Sequence, residues 1–291
     1  MALGSLGLDA QVLESLQRMI IRPQGLFLVC GPTGSGKTTT LHSVLAELDN
    51  SERKIWTAED PIEITQPGLR QVQVNARIGW TFAAALRSFL RADPDVVMVG
   101  EMRDFETAKI GIEASLTGHM VFSTLHTNSA ADSIARLLDL GLDPFNFSDA
   151  LTGILSQRLV RRLCPRCRTA EVASVGEVEE LLAEYCADSA TDPCTTLARW
   201  RRTHGQGQGG IHLWRARGCP ACAERGYQGR LGIYELMSAD PGIKQLILRR
   251  ASMAEVKTAA MQAGMRTLKQ DGIEKVLQGL TDIHQIRAAC G

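Results

Sequence analysis

Along the chain, short continuous apolar runs alternate with stretches in which apolar residues recur at helical spacing. Residues 26–30, LFLVC, run apolar up to Gly31, and GPTGSGKTTTLHSVLAEL follows, a pattern that predicts strand, glycine loop and helix. KIWTAED, VVMVG and MVFSTLH are further apolar or β-branched runs that each end in polar residues, with TFAAALRSFLRA and ETAKIGIEASL reading as helices between them. Strands that alternate with helices predict an α/β fold, a parallel sheet with helices on both faces. The helix punctuation agrees: Thr81 caps 82–92, Asp93-Pro94 ends it, Ser129 with Asp132 opens the next helix and Gly141 closes it.

After about residue 163 the texture changes. Two C-x-x-C pairs enclose residues 168–218, which hold the Glu-rich EVEELLAEY and the glycine-rich run HGQGQGG at 204–210; this segment reads as a satellite of the sheet. The remainder is helical in pattern. Asp240-Pro241 starts one helix, Ser252 and Glu255 form a capping box for a second, and Gly264 and Gly279 are stops. The expected divisions are 1–163 for the sheet domain, 164–235 for the cysteine-bearing subdomain and 236–291 for a helical C-terminal subdomain.

Composition changes this picture little. The 291 residues are 44% hydrophobic and 22% charged, which suits a folded globular chain and excludes an intrinsically disordered one. Lys and Arg total 32 and Asp and Glu total 32, so no global positive field draws the chain to nucleic acid or anionic lipid. The start MALGSLGLDAQVLES lacks the pattern of a signal peptide, and no apolar run reaches a membrane span, so the expected location is cytoplasmic. Eight cysteines are too sparse for a secreted disulfide scaffold.

The chemistry begins at Gly31-Pro32-Thr33-Gly34-Ser35-Gly36-Lys37-Thr38, a full match to GxxxxGK[ST] between a predicted strand and a predicted helix, followed by Thr39. Glycines let the backbone curl so that successive N–H groups face a phosphate, and the helix adds its positive end. ATP is the expected ligand, with Lys37 bridging its β- and γ-phosphates and the Thr38 hydroxyl on Mg²⁺. Glu101, delivered at the end of VVMVGE, suits the same Mg²⁺ at the carboxyl edge of the sheet. The run Thr57-Ala58-Glu59-Asp60-Pro61-Ile62-Glu63 supplies three more acids; Glu63 is the first choice for polarising the attacking water and Glu59 its rival. His126 is a candidate to sense the γ-phosphate or hold that water, and His119 is a catalytic candidate that reads equally well as a satisfied structural histidine.

Cys164-x-x-Cys167 and Cys219-x-x-Cys222 make two thiolate knuckles, enough for one closed tetrahedral Zn²⁺ site, although the 51 intervening residues exceed an ordinary zinc ribbon. The alternative is four free core cysteines, which the Pro165 and Pro220 turns disfavour. Cys30 reads as packed core, and Cys186, Cys194 and Cys290 have no ligand spacing.

Taken together these motifs resemble the RecA-like ATPases of type II secretion and type IV pilus assembly, the GspE/PilB group, with the type II secretion member the nearer. GPTGSGKTTT corresponds to the family's Walker A, TAEDPIE to its aspartate box, DPDVVMVGEMRD to its atypical Walker B with Glu in place of Asp, and GHMVFSTLHTNSA to its histidine box. SQRLVRRLCPRC with GCPACAERGYQGRLGIYEL is similar to the tetracysteine region, which retraction ATPases generally lack. The resemblance implies a homo-oligomer, a hexameric ring, whose ATP hydrolysis works through inner-membrane platform and docking proteins to add pseudopilin or pilin subunits to a fibre, the ATPase itself being peripheral to the inner membrane through those partners. Type II secretion and pilus assembly remain alternatives.

About 25 residues precede the first strand, whereas the family carries further N-terminal domains, so the resemblance implies a fragment or a short paralogue that binds ATP and turns it over slowly. Candidate arginines for a phosphate are Arg77, Arg87, Arg91 and Arg103, with Arg87 and Arg91 sharing a helix face. Two other classes stay open. A DNA-translocating motor would use the basic cluster Arg158, Arg161, Arg162, Arg166 and Arg168, though no nucleic acid is expected from the balanced charge, and a nucleotide-dependent assembly module would bind without hydrolysis.

Overall fold

Gly25–Cys30 forms a strand buried at every residue, and Val96–Val99 and Met120–Leu125 of the same sheet are buried throughout as well, which is what a parallel sheet covered on both faces requires. The computed structural model describes residues 2–49, 53–187, 191–206 and 210–290. Of the glycine-rich run at 204–210, positions 207–209 lie outside the described residues. In chain order the elements are α1 (Ala10–Ile20), β1 (Gly25–Cys30), α2 (Lys37–Leu48), β2 (Ile55–Glu59), β3 (Arg70–Gln73), α3 (Phe82–Leu90), β4 (Val96–Val99), α4 (Phe105–Leu116), β5 (Met120–Leu125), α5 (Ala130–Asp139), α6 (Pro144–Ala150), β6 (Leu151–Leu163), β7 (Thr169–Val172), α7 (Val175–Cys186), α8 (Pro193–His204), β8 (Gly205–Gln206), β9 (Gly210–Arg215), β10 (Tyr227–Ser238), α9 (Pro241–Leu248), α10 (Met253–Gln262), α11 (Leu268–Leu277) and α12 (Ile283–Cys290).

The elements fall into two units, Met1–Gln157 with Glu235–Met265, and Arg158–Tyr234 with Arg266–Gly291. This division differs from boundaries placed at 163/164 and 235/236. The long strands β6 and β10 each continue from one unit into the other, and the terminal helices separate: Ile243, Ile247 and Val256 of α9 and α10 belong to the first unit's core, Ile273, Val276 and Ile286 of α11 and α12 to the second's.

A seven-stranded sheet runs in the order β10-β6-β1-β5-β4-β2-β3, and from β6 to β3 every pair is parallel. The α/β expectation therefore holds. The strand ends Cys30, Leu125, Val99 and Glu59 lie along one carboxyl edge, where ligands of open α/β sheets bind. The helices follow local rules. Thr81 and Ser129 cap α3 and α5 through their side chains, and α5 buries Ile134, Leu137 and Leu138 at helical spacing.

In the second unit a three-stranded antiparallel sheet, β7-β9-β8, accompanies α7, α8 and α11 around a core centred on Trp200, which is fully buried and meets Tyr185 edge-on at 5.3 Å. Among the described residues no helix is long and apolar enough to cross a membrane.

Candidate functional site

Beyond β1 the backbone turns through Gly31, Pro32, Thr33, Gly34, Ser35 and Gly36 into Lys37, Thr38 and Thr39, the first turn of α2. Gly31 has φ 151°, and a Cβ there would fall 2.3 Å from the Gln157 carbonyl oxygen and 2.7 Å from Ser35 Oγ, so a side chain has no room. Gly34 at φ 77° and Gly36 at φ 88° complete the curl in the left-handed region. Gln157 Nε2 donates to the Ser35 carbonyl at 2.7 Å and pins the loop. Gly36 stands at the N-cap with no side chain to satisfy the first amides of α2, which leaves the positive end of a twelve-residue helix open to an anion. Lys37 folds back over the loop, donating to the carbonyls of Gly31 at 2.8 Å and Pro32 at 3.1 Å. Burial pushes its pKa down, and the nearby Glu101 carboxylate works in the opposite direction.

Two residues past β4, Glu101 meets two side chains at once. Oε2 lies 2.6 Å from Arg103 Nε and Oε1 lies 3.2 Å from His126 Nε2, with the carboxylate 14% exposed and the imidazole 42% exposed. His126 is the first residue after β5, so Lys37, Glu101, Arg103 and His126 come together at one edge.

The acidic box divides. Glu63 is exposed, whereas Glu59 at the end of β2 is 3% exposed and has both oxygens engaged. Thr57 Oγ1 donates to its Oε1 at 2.6 Å, Gln71 Nε2 donates to the same oxygen at 2.9 Å, and His42 Nε2 lies 3.2 Å from Oε2. Burial opposes ionisation of Glu59, but the hydrogen bonds from His42, Thr57 and Gln71 outweigh it and hold the carboxyl below its usual range. Of these three partners Thr57 belongs to the TAEDPIE run, whereas Gln71 and His42 are marked by no sequence motif; His42 lies on a helix that reads simply as the continuation of the P-loop.

His119 is not brought to this edge. It precedes β5, where its backbone oxygen accepts from Gly25 at 3.1 Å, and its Nδ1 meets the Ala114 carbonyl oxygen at 3.0 Å. It therefore closes the end of α4, a strand's length of about 20 Å from the residues that follow Leu125. Of the candidate arginines, Arg103 alone pairs with a site carboxylate among the described residues; Arg87 pairs with Glu106 at 2.5 Å, and Arg77 and Arg91 are exposed. In the basic cluster of the second unit, Arg158 donates to the Ala289 carbonyl, Arg168 donates to that of Gly279 while lying 4.4 Å from the Trp214 ring centre, and Arg161 lies 6.0 Å from that of Tyr227.

Cys164, Cys167, Cys219 and Cys222 converge with all four sulfurs within 4.8 Å of one another. The spacings of 4.0 Å (Cys164–Cys219), 3.9 Å (Cys167–Cys222) and 3.8 Å (Cys219–Cys222) fit the edge of about 3.8 Å that follows from a tetrahedron of sulfurs ~2.3 Å from a central Zn²⁺. The Cys222 sulfur receives the amides of Cys219 at 3.3 Å and Gly226 at 3.2 Å. Burial works against its thiolate, yet these amides bring the thiol down to about 7. The donor set suits Zn²⁺ in both chemistry and size.

A glycine turn from a buried parallel strand into an uncapped helix, with a lysine folded over it, defines a P-loop protein. Residues 1–288 match the Type II/IV secretion system protein family, and the chain belongs to it. It is 45% identical over 281 residues to the type IV pilus assembly ATPase PilB of Myxococcus xanthus, covering 97% of this chain and 46% of the relative. It is 44% identical over 284 residues to the type II secretion system ATPase E of Vibrio cholerae, covering 98% of this chain and 52% of the relative. The chain thus spans about half the length of these curated relatives. Among solved structures it is similar to the pilus retraction motor PilT with bound ADP, at 30% identity and a TM-score of 0.68, covering 99% of this chain and 66% of that one.

Proposed function

We propose that this chain is the Mg²⁺-dependent ATP-hydrolysing part of a motor that drives protein secretion through a type II secretion system by assembling a pseudopilus. The observation that supports this most directly is the meeting of an uncapped α2 terminus, Lys37, Glu101 and His126 at one sheet edge, in a chain whose relatives are named as secretion and pilus-assembly ATPases.

In this reading the loop from Gly31 to Gly36 and the first amides of α2, Lys37 to Thr39, cradle the phosphates, and Lys37 exchanges its two carbonyl partners for the β- and γ-phosphates. Thr38 and Glu101 would hold the Mg²⁺, which would supply charge neutralisation to the phosphates. Glu63, exposed and free of the bonds that saturate Glu59, accepts the proton of the attacking water. His126, held by Glu101 at 3.2 Å, would sense the γ-phosphate or hold the attacking water. Cys164, Cys167, Cys219 and Cys222 hold one structural Zn²⁺. The working form is a hexameric ring, cytoplasmic and peripheral to the inner membrane through platform and docking proteins. The 45% identity to PilB supports type IV pilus assembly as the second reading.

Mg-ATP turnover by the chain and by Lys37→Ala tests the core of this. Removing the ammonium is expected to lower turnover by about 10²–10³-fold. Equal turnover in the two proteins rejects hydrolysis at this loop, and nucleotide binding without Lys37-dependent turnover leaves an assembly module instead.

A further inference from the structure

His42 has no place in the chemistry described so far, yet it is one of the most engaged side chains of the first unit. It lies on α2 five residues beyond Lys37, is 3% exposed, and both ring nitrogens have partners. The Gln66 carboxamide, turned so that its oxygen accepts from the Ala46 amide at 3.2 Å, donates to His42 Nδ1 at 3.1 Å. Nδ1 is then the acceptor, and Nε2 carries the proton given to Glu59 Oε2 at 3.2 Å. From Glu59 the network continues outward: Gln71 donates to Glu59 Oε1 at 2.9 Å and to the Ile64 carbonyl at 2.8 Å, and accepts from the Gln66 amide at 2.8 Å. A connected set of hydrogen bonds thus runs from the phosphate-binding helix to both ends of the short segment that presents Glu63.

We propose that His42 is a positioning residue, tethering the loop that carries Glu63 to the P-loop helix so that the proton acceptor and the terminal phosphate keep one geometry. The inference rests on the ATPase reading above. Glu59 is the middle of this tether. Its burial and saturated oxygens suit holding a loop, and the exposed Glu63, four residues on, is left to meet water.

His42→Leu removes both ring bonds, and His42→Gln restores a donor for Glu59. Three quantities separate positioning from bulk support: the affinity for a fluorescent ADP analogue, kcat for Mg-ATP, and amide hydrogen exchange across residues 60–66. His42→Leu is expected to bind the analogue within about twofold of the parent, to lose about 10–100-fold in kcat, and to exchange about tenfold faster over 60–66. His42→Gln is expected to regain most of both. Unchanged kcat and exchange in His42→Leu overturn the proposal, as does a parallel loss of affinity and kcat that His42→Gln does not repair. Should His42→Leu fail to fold, Gln71→Met cuts the same tether from its far end, and unchanged kcat and exchange in that variant count equally against it. If the parent turns over no faster than Lys37→Ala, the ATPase reading fails on its own, and the exchange comparison still decides whether the tether exists.

Discussion

In the first unit the chain leaves a buried strand and enters α2 with the helix amides uncapped, a lysine bonded to its own loop's carbonyls, and an imidazole 42% exposed beside Glu101. In the second unit the two cysteine turns face each other, and all four sulfurs lie within 4.8 Å of one another, with Cys164 and Cys222 buried. Polar groups left without protein partners can be met by a ligand that comes and goes, whereas a closed tetrahedral set leaves no position for substrate. Side chains converging on one point thus serve turnover in one place and a structural bond in the other.

The widest gap between the two sites is in what removal of the ligand does. Elemental analysis is expected to find about one Zn²⁺ per chain, and Cys164→Ser or a strong chelator is expected to abolish it. Structural Zn²⁺ contributes roughly 10–16 kcal/mol to small metal-dependent folds, so near-UV dichroism from the tryptophan core around Trp200 is expected to disappear, while affinity for nucleotide at the P-loop changes by less than about threefold. A zinc-free chain with an intact second unit would erase the contrast.

Next in size comes the division of labour between two acids of one box. Glu63→Gln removes the proposed proton acceptor and is expected to lower kcat by about 10²–10⁴-fold at unchanged nucleotide affinity. Glu59→Gln keeps one carbonyl oxygen to accept from Thr57 and Gln71 while giving up the acceptor for His42, and is expected to lose less. Measured kcat values in the reverse order would move the proton transfer to Glu59 and make its buried bonds the activating environment.

Much of this was legible in the sequence, and the line between legible and hidden is physical. The P-loop, the Thr81 and Ser129 caps, the Asp240 start and the Ser252–Glu255 box are local, the P-loop settled within Gly31–Thr38 and each of the others within about four residues, and all appear where the residues place them. The same local signals were present at Ser174–Glu177 and Asp192-Pro193, which open α7 and α8 inside a segment that reads only as Glu-rich and glycine-rich. Strand β3 carries no apolar run; RQVQ becomes a strand by pairing Arg70 to Gln73 with Trp56 to Glu59. For His119 the decisive fact is strand direction, since one histidine stands before β5 and the other after it. His42 is the least legible, because its meaning comes from Glu59, a partner seventeen residues away on another element.

The finest comparison sets Glu59 beside Glu274, a buried carboxylate of the second unit. Glu274 Oε1 accepts from Arg199 Nη2 at 2.7 Å and Trp200 Nε1 at 3.3 Å, and His204 Nε2 lies 3.6 Å from Oε2. Burial opposes its charge, but the Arg199 hydrogen bond and charge prevail and hold its pKa below the usual value of 4.5. Because the folded carboxyl binds its proton less readily than the unfolded one, the stabilisation is complete above pH 4.5 and is lost as pH falls through the lower folded value. Arg199 remains 33% exposed, so solvent screens the pair and the effect is the smallest of the set. Glu274→Gln is expected to melt a few degrees lower at pH 7, on the scale of about 2–4 °C for each kcal/mol. That gap in melting temperature is expected to narrow steadily when melting is repeated below pH 4.5. A gap that stays constant down to pH 3 would mean that Glu274 serves Trp200 and Arg199 by shape alone; a gap that widens would reverse the sign argued for its charge.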